Sequence, residues 1–111
     1  MGLLERFLPR IEFDSYEDFK ENYRVNPPEK FNFGFDIVDA WAKEDKEKRA
    51  LVWCDDHGQE KVITFDEMSR LSNQAANYFK SLGLTRDSVV MLIMRRRWEY
   101  WVVASALCKL G

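Results

Sequence analysis

The chain of 111 residues has one histidine, two cysteines, three prolines and five glycines, and each scarcity removes a class of function. With His57 as the sole imidazole and no serine or cysteine that spacing assigns to it, a Ser-His or Cys-His nucleophilic pair has no support. Cys54 and Cys108 fall in different expected elements and form no CxxC pair, so reduced packing thiols are expected rather than a disulfide. The glycines stand apart at positions 2, 34, 58, 83 and 111, which leaves no glycine-rich loop to cradle phosphates. GKS/T, HExxH and GxSxG patterns are also missing. No apolar run reaches the ~18 residues of a membrane span. Glu5, Arg6 and Pro9 break the opening "MGLLERFLPRIEF" before a signal-peptide core can form, and Arg6 stands where a myristoylation signal has Ser or Thr. A cytoplasmic location is therefore expected.

Charge of one sign is lacking too. Seventeen basic and 19 acidic residues leave a net charge of −2, which gives no electrostatic basis for a nucleic acid or an anionic membrane as partner. What is present is a 46% hydrophobic, 14% aromatic composition, enough for one folded α/β domain and too apolar for a disordered chain.

The pattern along the chain gives the elements. Ser15 precedes Asp18 by three in "DSYEDFKENYRVNPP", a loose capping box. Tyr16, Phe19 and Tyr23 then share a helical face until Asn26, Pro27 and Pro28 stop it. Residues 1–33 read as this helical arm and a linker. Val38, Trp41 and Ala42 keep helical spacing and predict a helix from Gly34 to Lys48. "ALVWC" and "KVITF" flank the turn-rich "DDHGQE" as a hairpin, with Gly58 available for a positive φ. Thr64 and Glu67 form a capping box, after which Met68, Leu71, Ala75, Phe79 and Leu82 line one buried helical face up to a C-cap at Gly83. "SVVMLIM", Ser88 to Met94, has the length and continuity of a strand covered on both faces. A last helix follows, with Trp98, Trp101, Val102, Ser105 and Cys108 on one stripe. Strand plus helix is two-thirds of a βαβ unit whose return strand is not in the sequence. The expected fold is thus an incomplete α/β domain over 34–111, helices plus a short hairpin and one buried sheet strand.

Two clusters carry candidate chemistry. Cys54, Asp55, Asp56 and His57 are all possible metal ligands, but a closed zinc site needs a second ligand pair, and Asp and Gly are wanted in a hairpin turn anyway. No metal site is expected. Arg95, Arg96 and Arg97 sit where the strand ends and the next helix starts, the side on which open α/β sheets bind ligands. Cations there oppose the helix dipole, so the helix does not explain them. They are either a solvated cluster with some salt bridges or a contact with a ligand or with another part of the protein. A nucleic-acid site from these arginines with Trp98 and Trp101 is disfavoured because the tryptophans share the expected buried stripe.

The stretches "ITFDEMSRLSNQAANYFKSLGL" and the strand-helix pair ending "LCKLG" resemble the N-terminal region of AMP-forming acyl-CoA synthetases of the medium-chain-like branch of the adenylate-forming superfamily, over nearly the whole chain from Phe13. One departure is visible: Trp98 precedes Glu99 where relatives often have Pro. The resemblance implies a two-step ligase that joins a carboxylic (fatty) acid to coenzyme A through an acyl-adenylate, with ATP, Mg and CoA used by the complete enzyme. The family's phosphate loop, ribose-binding Asp and catalytic Lys have no matching positions here. It therefore implies a chain that has no catalytic residue, binds none of these groups and is inactive alone. The alternative is a small self-contained α/β interaction module. Self-association through the unpaired edge at Ser88 to Met94 is also expected.

Overall fold

The computed structural model describes residues 2–111, which divide into two compact units, 2–31 and 32–111.

In the first unit a 3-10 turn, Leu4–Arg6, precedes helix α1, Tyr16–Asn22. Ser15 caps it, its hydroxyl accepting from the Asp18 amide at 3.1 Å. The Asp18 carboxylate does not return to the Ser15 amide as a capping box would. It accepts instead from the Asp14 amide at 3.0 Å, from both ends of the Arg10 guanidinium at 2.9 and 2.6 Å, and from the Asn22 carboxamide at 2.7 Å. Phe19 packs edge-on to Phe13, with centroids 5.2 Å apart, and lies 4.8 Å from Tyr23. Tyr23 is already extended, so α1 ends before Asn26 and the prolines are reached.

The second unit opens at Asn32. Its side-chain oxygen accepts from the amides of Gly34 and Phe35 at 3.0 and 3.3 Å, while the Asp36 carboxylate accepts from the Asn32 amide at 2.7 Å. This reciprocal cap starts α2, a π-helical turn Gly34–Asp39 that runs into an α-helix Ala40–Glu44. The helix expected to reach Lys48 stops at Glu44 because "KEDKEK" has no apolar stripe to hold a further turn. Asp45 becomes extended and its carboxylate caps the Glu47 amide at 3.2 Å.

Strands β1, Arg49–Cys54, and β2, Glu60–Thr64, form the expected antiparallel hairpin, with Leu51 opposite Ile63 and Val52 opposite Val62. Gly58 supplies the positive φ, 81°, at its turn. Helix α3, Phe65–Ser81, begins with the full capping box: Thr64 Oγ1 accepts from the Glu67 amide at 3.2 Å and Glu67 Oε2 from the Thr64 amide at 3.0 Å. Helix α4 is Glu99–Leu110. Val38, Ile63, Met68 and Val102 form the core, with Leu51, Leu71, Ala75 and Trp98 against it.

The hydrophobic pattern misplaces a few side chains. Leu82, past the last turn of α3, is exposed, and so are Trp101 and Cys108. On α4 the inward face is Trp98, Val102, Ser105, Ala106 and the Lys109 side chain, so Trp101 and Cys108 fall on the neighbouring row. The run Ser88 to Met94, expected as a buried strand, forms no strand and pairs with nothing among the described residues. Its alternate side chains Val89, Met91 and Ile93 are 98%, 84% and 82% exposed. A strand needs a neighbour to take its amides and carbonyls, and none lies beside this one.

Candidate functional site

The arginine turn is built by three restraints. Arg96 has φ 44°, a left-handed conformation that a side chain adopts at a cost. The Trp53 indole Nε1, reaching from β1, donates to the Arg96 carbonyl at 2.6 Å and holds the turn there. Arg97 Nη2 lies 3.1 Å from Glu99 Oε1 at the start of α4. Arg97 is thus the only one of the three arginines with a carboxylate partner among the described residues, and the guanidinium groups of Arg95 and Arg96 are left for solvent or a ligand.

Glu99 Oε2 is buried and lacks a partner among the described residues. Burial pushes the Glu99 carboxyl up, but its own backbone amide, Arg97 and Lys61 together outweigh that and hold it below its ordinary value. Lys61 itself sits over the Trp98 ring, 5.0 Å from the centroid. Between β1 and the turn runs an open groove of about 390 Å³, lined by Trp53, Cys54, Met94, Arg96, Tyr100 and Trp101 among others. Its walls are aromatic with guanidinium groups at one side, so an anion with an apolar body or a further protein segment would suit it.

The hairpin cluster lies on a tight turn. The Asp55 carboxylate accepts from the His57 and Gln59 amides at 2.9 and 2.8 Å and is used in shaping the turn. Cys54 and Cys108 are free thiols, and no group of three His, Cys, Asp or Glu side chains suited to a metal occurs among the described residues. At the start of α3 the capping box takes the Thr64 and Glu67 amides and the Phe65 amide donates to the Lys48 carbonyl at 2.9 Å, while Gly34 is filled: a Cβ there would lie 2.5 Å from Lys109 Cγ and 3.1 Å from the Ser105 carbonyl.

The pattern of the sequence missed one cluster. Lys109, whose side chain is 3% exposed, places its ammonium 2.7 Å from Asp39 Oδ1 on α2 and 2.8 Å from Asn73 Oδ1 on α3. Ser69 donates to the same Asp39 oxygen at 2.6 Å. The signal was a lone charge in the last turn of an otherwise apolar helix, together with Ser69 and Asn73 four apart on the facing one. This is a structural clamp joining α2, α3 and α4.

Comparison with known proteins gives the family. Residues 38–111 match the family described as AMP-binding enzyme, well over half of the chain. The chain belongs to the AMP-binding enzyme family.

Its relatives in that family include human acyl-coenzyme A synthetase ACSM3, mitochondrial, 31% identical over 105 residues, covering 89% of this chain and 18% of the relative. Human ACSM2A, mitochondrial, is 36% identical over 90 residues, covering 76% and 16%. Human ACSM4, mitochondrial, is 34% identical over 102 residues, covering 85% and 18%. The chain thus spans less than a fifth of these relatives' length. The resemblance to medium-chain-like acyl-CoA synthetases holds, and the α/β fold is that of a partial domain of this kind. The cytoplasmic expectation does not hold. These relatives are mitochondrial proteins, and the lack of a signal-peptide core at the start of the sequence does not bear on import into that organelle. No helix among the described residues is long and apolar enough to cross a membrane.

Proposed function

We propose that this chain is the N-terminal part of an ATP-dependent acyl-CoA synthetase. In the whole enzyme a carboxylate attacks the α-phosphate of Mg-ATP, giving an acyl-adenylate and pyrophosphate, and the thiol of CoA then displaces AMP to give the thioester. Activation is needed because AMP is a far better leaving group than oxide. The observation that carries this reading is the family match over 38–111 in a chain that covers only 18% of ACSM3. Residues 1–33 serve as arm and linker, and 34–111 begin the N-terminal domain. The chain contributes scaffold and no catalytic residue. Arg95, Arg96 and Arg97 contact a ligand or another part of the enzyme. The substrate is a carboxylic (fatty) acid, nucleic acid is not a partner, and the location is that of the relatives, the mitochondrion. By itself the chain binds neither ATP, Mg nor CoA, is inactive, and self-associates through the segment Ser88 to Met94.

A chimera tests the reading. This chain would replace the matching stretch of human ACSM2A, and carboxylate-dependent pyrophosphate release and thioester formation would be measured. An active chimera is expected; one that melts cooperatively yet makes no thioester would overturn the proposal. Titration calorimetry of the chain alone with Mg-ATP should show no binding, and micromolar affinity would refute the scaffold role.

A further inference from the structure

We propose that Arg96 stands at its turn for its guanidinium, and that Trp53 is the positioning residue that holds it there against its backbone preference. This rests on the synthetase reading above, in which the arginine turn contacts a ligand or another part of the enzyme, and it names the residue that makes the contact. Arg96 is the only non-glycine residue with a positive φ, 44°, among the described residues. Gly, Asn or Asp accepts that conformation at little cost, whereas a long side chain does not. A residue held so persists only where its surroundings over-determine it, and such residues gather at ligand clamps and switch turns. The guanidinium does not offset the cost within the chain, since it has no ion-pair partner among the described residues.

The surroundings that fix the turn come from the hairpin. Trp53 on β1 stands opposite Lys61 on β2. The Trp53 indole donates to the Arg96 carbonyl at 2.6 Å, and the Lys61 ammonium lies 5.0 Å from the centroid of the Trp98 ring. Between these two holds, Arg97 pairs with Glu99 at 3.1 Å. One cross-strand pair thus grips the turn on both sides of Arg97. The bond that compensates the left-handed backbone goes to a carbonyl, a group every residue has, so it secures the turn without accounting for an arginine. What an arginine adds is a planar, permanently charged fork matched to an oxyanion. In the whole enzyme that oxyanion is a phosphate of a substrate or a carboxylate of another segment.

The 111-residue chain tests the turn, and the ACSM2A chimera tests the guanidinium. In nuclear magnetic resonance spectra Arg96 should show the strong Overhauser effect between its own amide and α protons that marks a positive φ. Trp53→Phe, which keeps a ring and loses the donor, should weaken it, while the double variant W53F/R96N should keep it because Asn accepts this conformation unaided. With Trp53 intact, Arg96→Asn should lower the urea-unfolding constant about threefold and Arg96→Val should raise it about tenfold. In the chimera R96N should be more stable yet about tenfold less active, with Arg96→Lys between, a combination that a merely structural arginine would not give. A raised KM for ATP or CoA assigns the oxyanion to that substrate, and a lowered kcat at unchanged KM assigns it to the enzyme itself. Arg96 staying left-handed in W53F would overturn the role of Trp53. An R96N chain no more stable than its parent, or an R96N chimera of full activity, would overturn that of the guanidinium. A parent chimera that folds and makes no thioester would overturn the synthetase reading instead, with Trp53 still judged by the chain.

Discussion

Helix α3 and the run Ser88 to Met94 are the two most strongly patterned apolar stretches of the second unit, yet only α3 is a finished element. The difference lies in where the hydrogen bonds go. A helix closes its backbone bonds within itself, and the Thr64–Glu67 box closes the first turn as well. An extended run closes none until another strand arrives. Apolar pattern therefore predicts burial reliably only where an element can complete itself or where its neighbour is present. Met68 and Met91 show this directly: they are 4% and 84% exposed.

The largest expected effect tests what secures α3 from outside. Asp39→Ala leaves the Lys109 ammonium buried without its charge partner and should cost about 3–5 kcal/mol in urea unfolding. The double variant Asp39→Leu/Lys109→Met removes both charges and should recover most of that. If the single variant lost less than a tenth of that range, the clamp would not hold the helices together.

Next is the pair of methionines. Met68→Ala should lose about 2–5 kcal/mol through the cavity it leaves. Met91→Ala in the monomer should stay within about 0.5 kcal/mol, as exposed substitutions do. Equal losses at the two sites would break the contrast between α3 and the 88–94 run. Thr64→Ala comes below these, at about 1 kcal/mol, because it removes one side-chain cap and leaves the core intact.

Much of this was legible in the residues because it is local. The capping box at Thr64, the hairpin with Gly58 and the stop near Gly83 each depend on a few neighbours. Features that join distant parts of the chain were not legible. Lys109 meets Asp39 across 70 positions and Trp53 meets Arg96 across 43, and neither partner could be chosen from spacing. The inward face of α4 was misread for the same reason: the exposed row with Trp101 and Cys108 is as apolar as the inward one, which includes Ser105 and Lys109, and the close approach of Gly34 to both of these was not legible. At the candidate site the arginines were singled out by position, while their separation into Arg97, paired with Glu99, and the unpaired Arg95 and Arg96 needed the structure.

The smallest effect extends the comparison to α1, which has no buried residue. It relies on polar bonds where α3 relies on burial, and Asp18 is their centre. The Asp14 amide first, and then the Arg10 guanidinium, hold the Asp18 carboxyl below its ordinary value of 3.8. A carboxyl depressed by folding binds its proton more weakly when folded than when unfolded. Its stabilisation is therefore fully present above pH 3.8 and is lost as the pH falls through the lower, folded value. Acidification below that point should melt α1 and separate Phe19 from Phe13, visible as lost helical and aromatic circular dichroism in this unit. The Asp18→Asn variant, which cannot ionise, should show a weaker α1 at neutral pH and no further acid step assignable to it. An unchanged acid transition in that variant would mean that α1 is held by its ring contacts, as α3 is by its core.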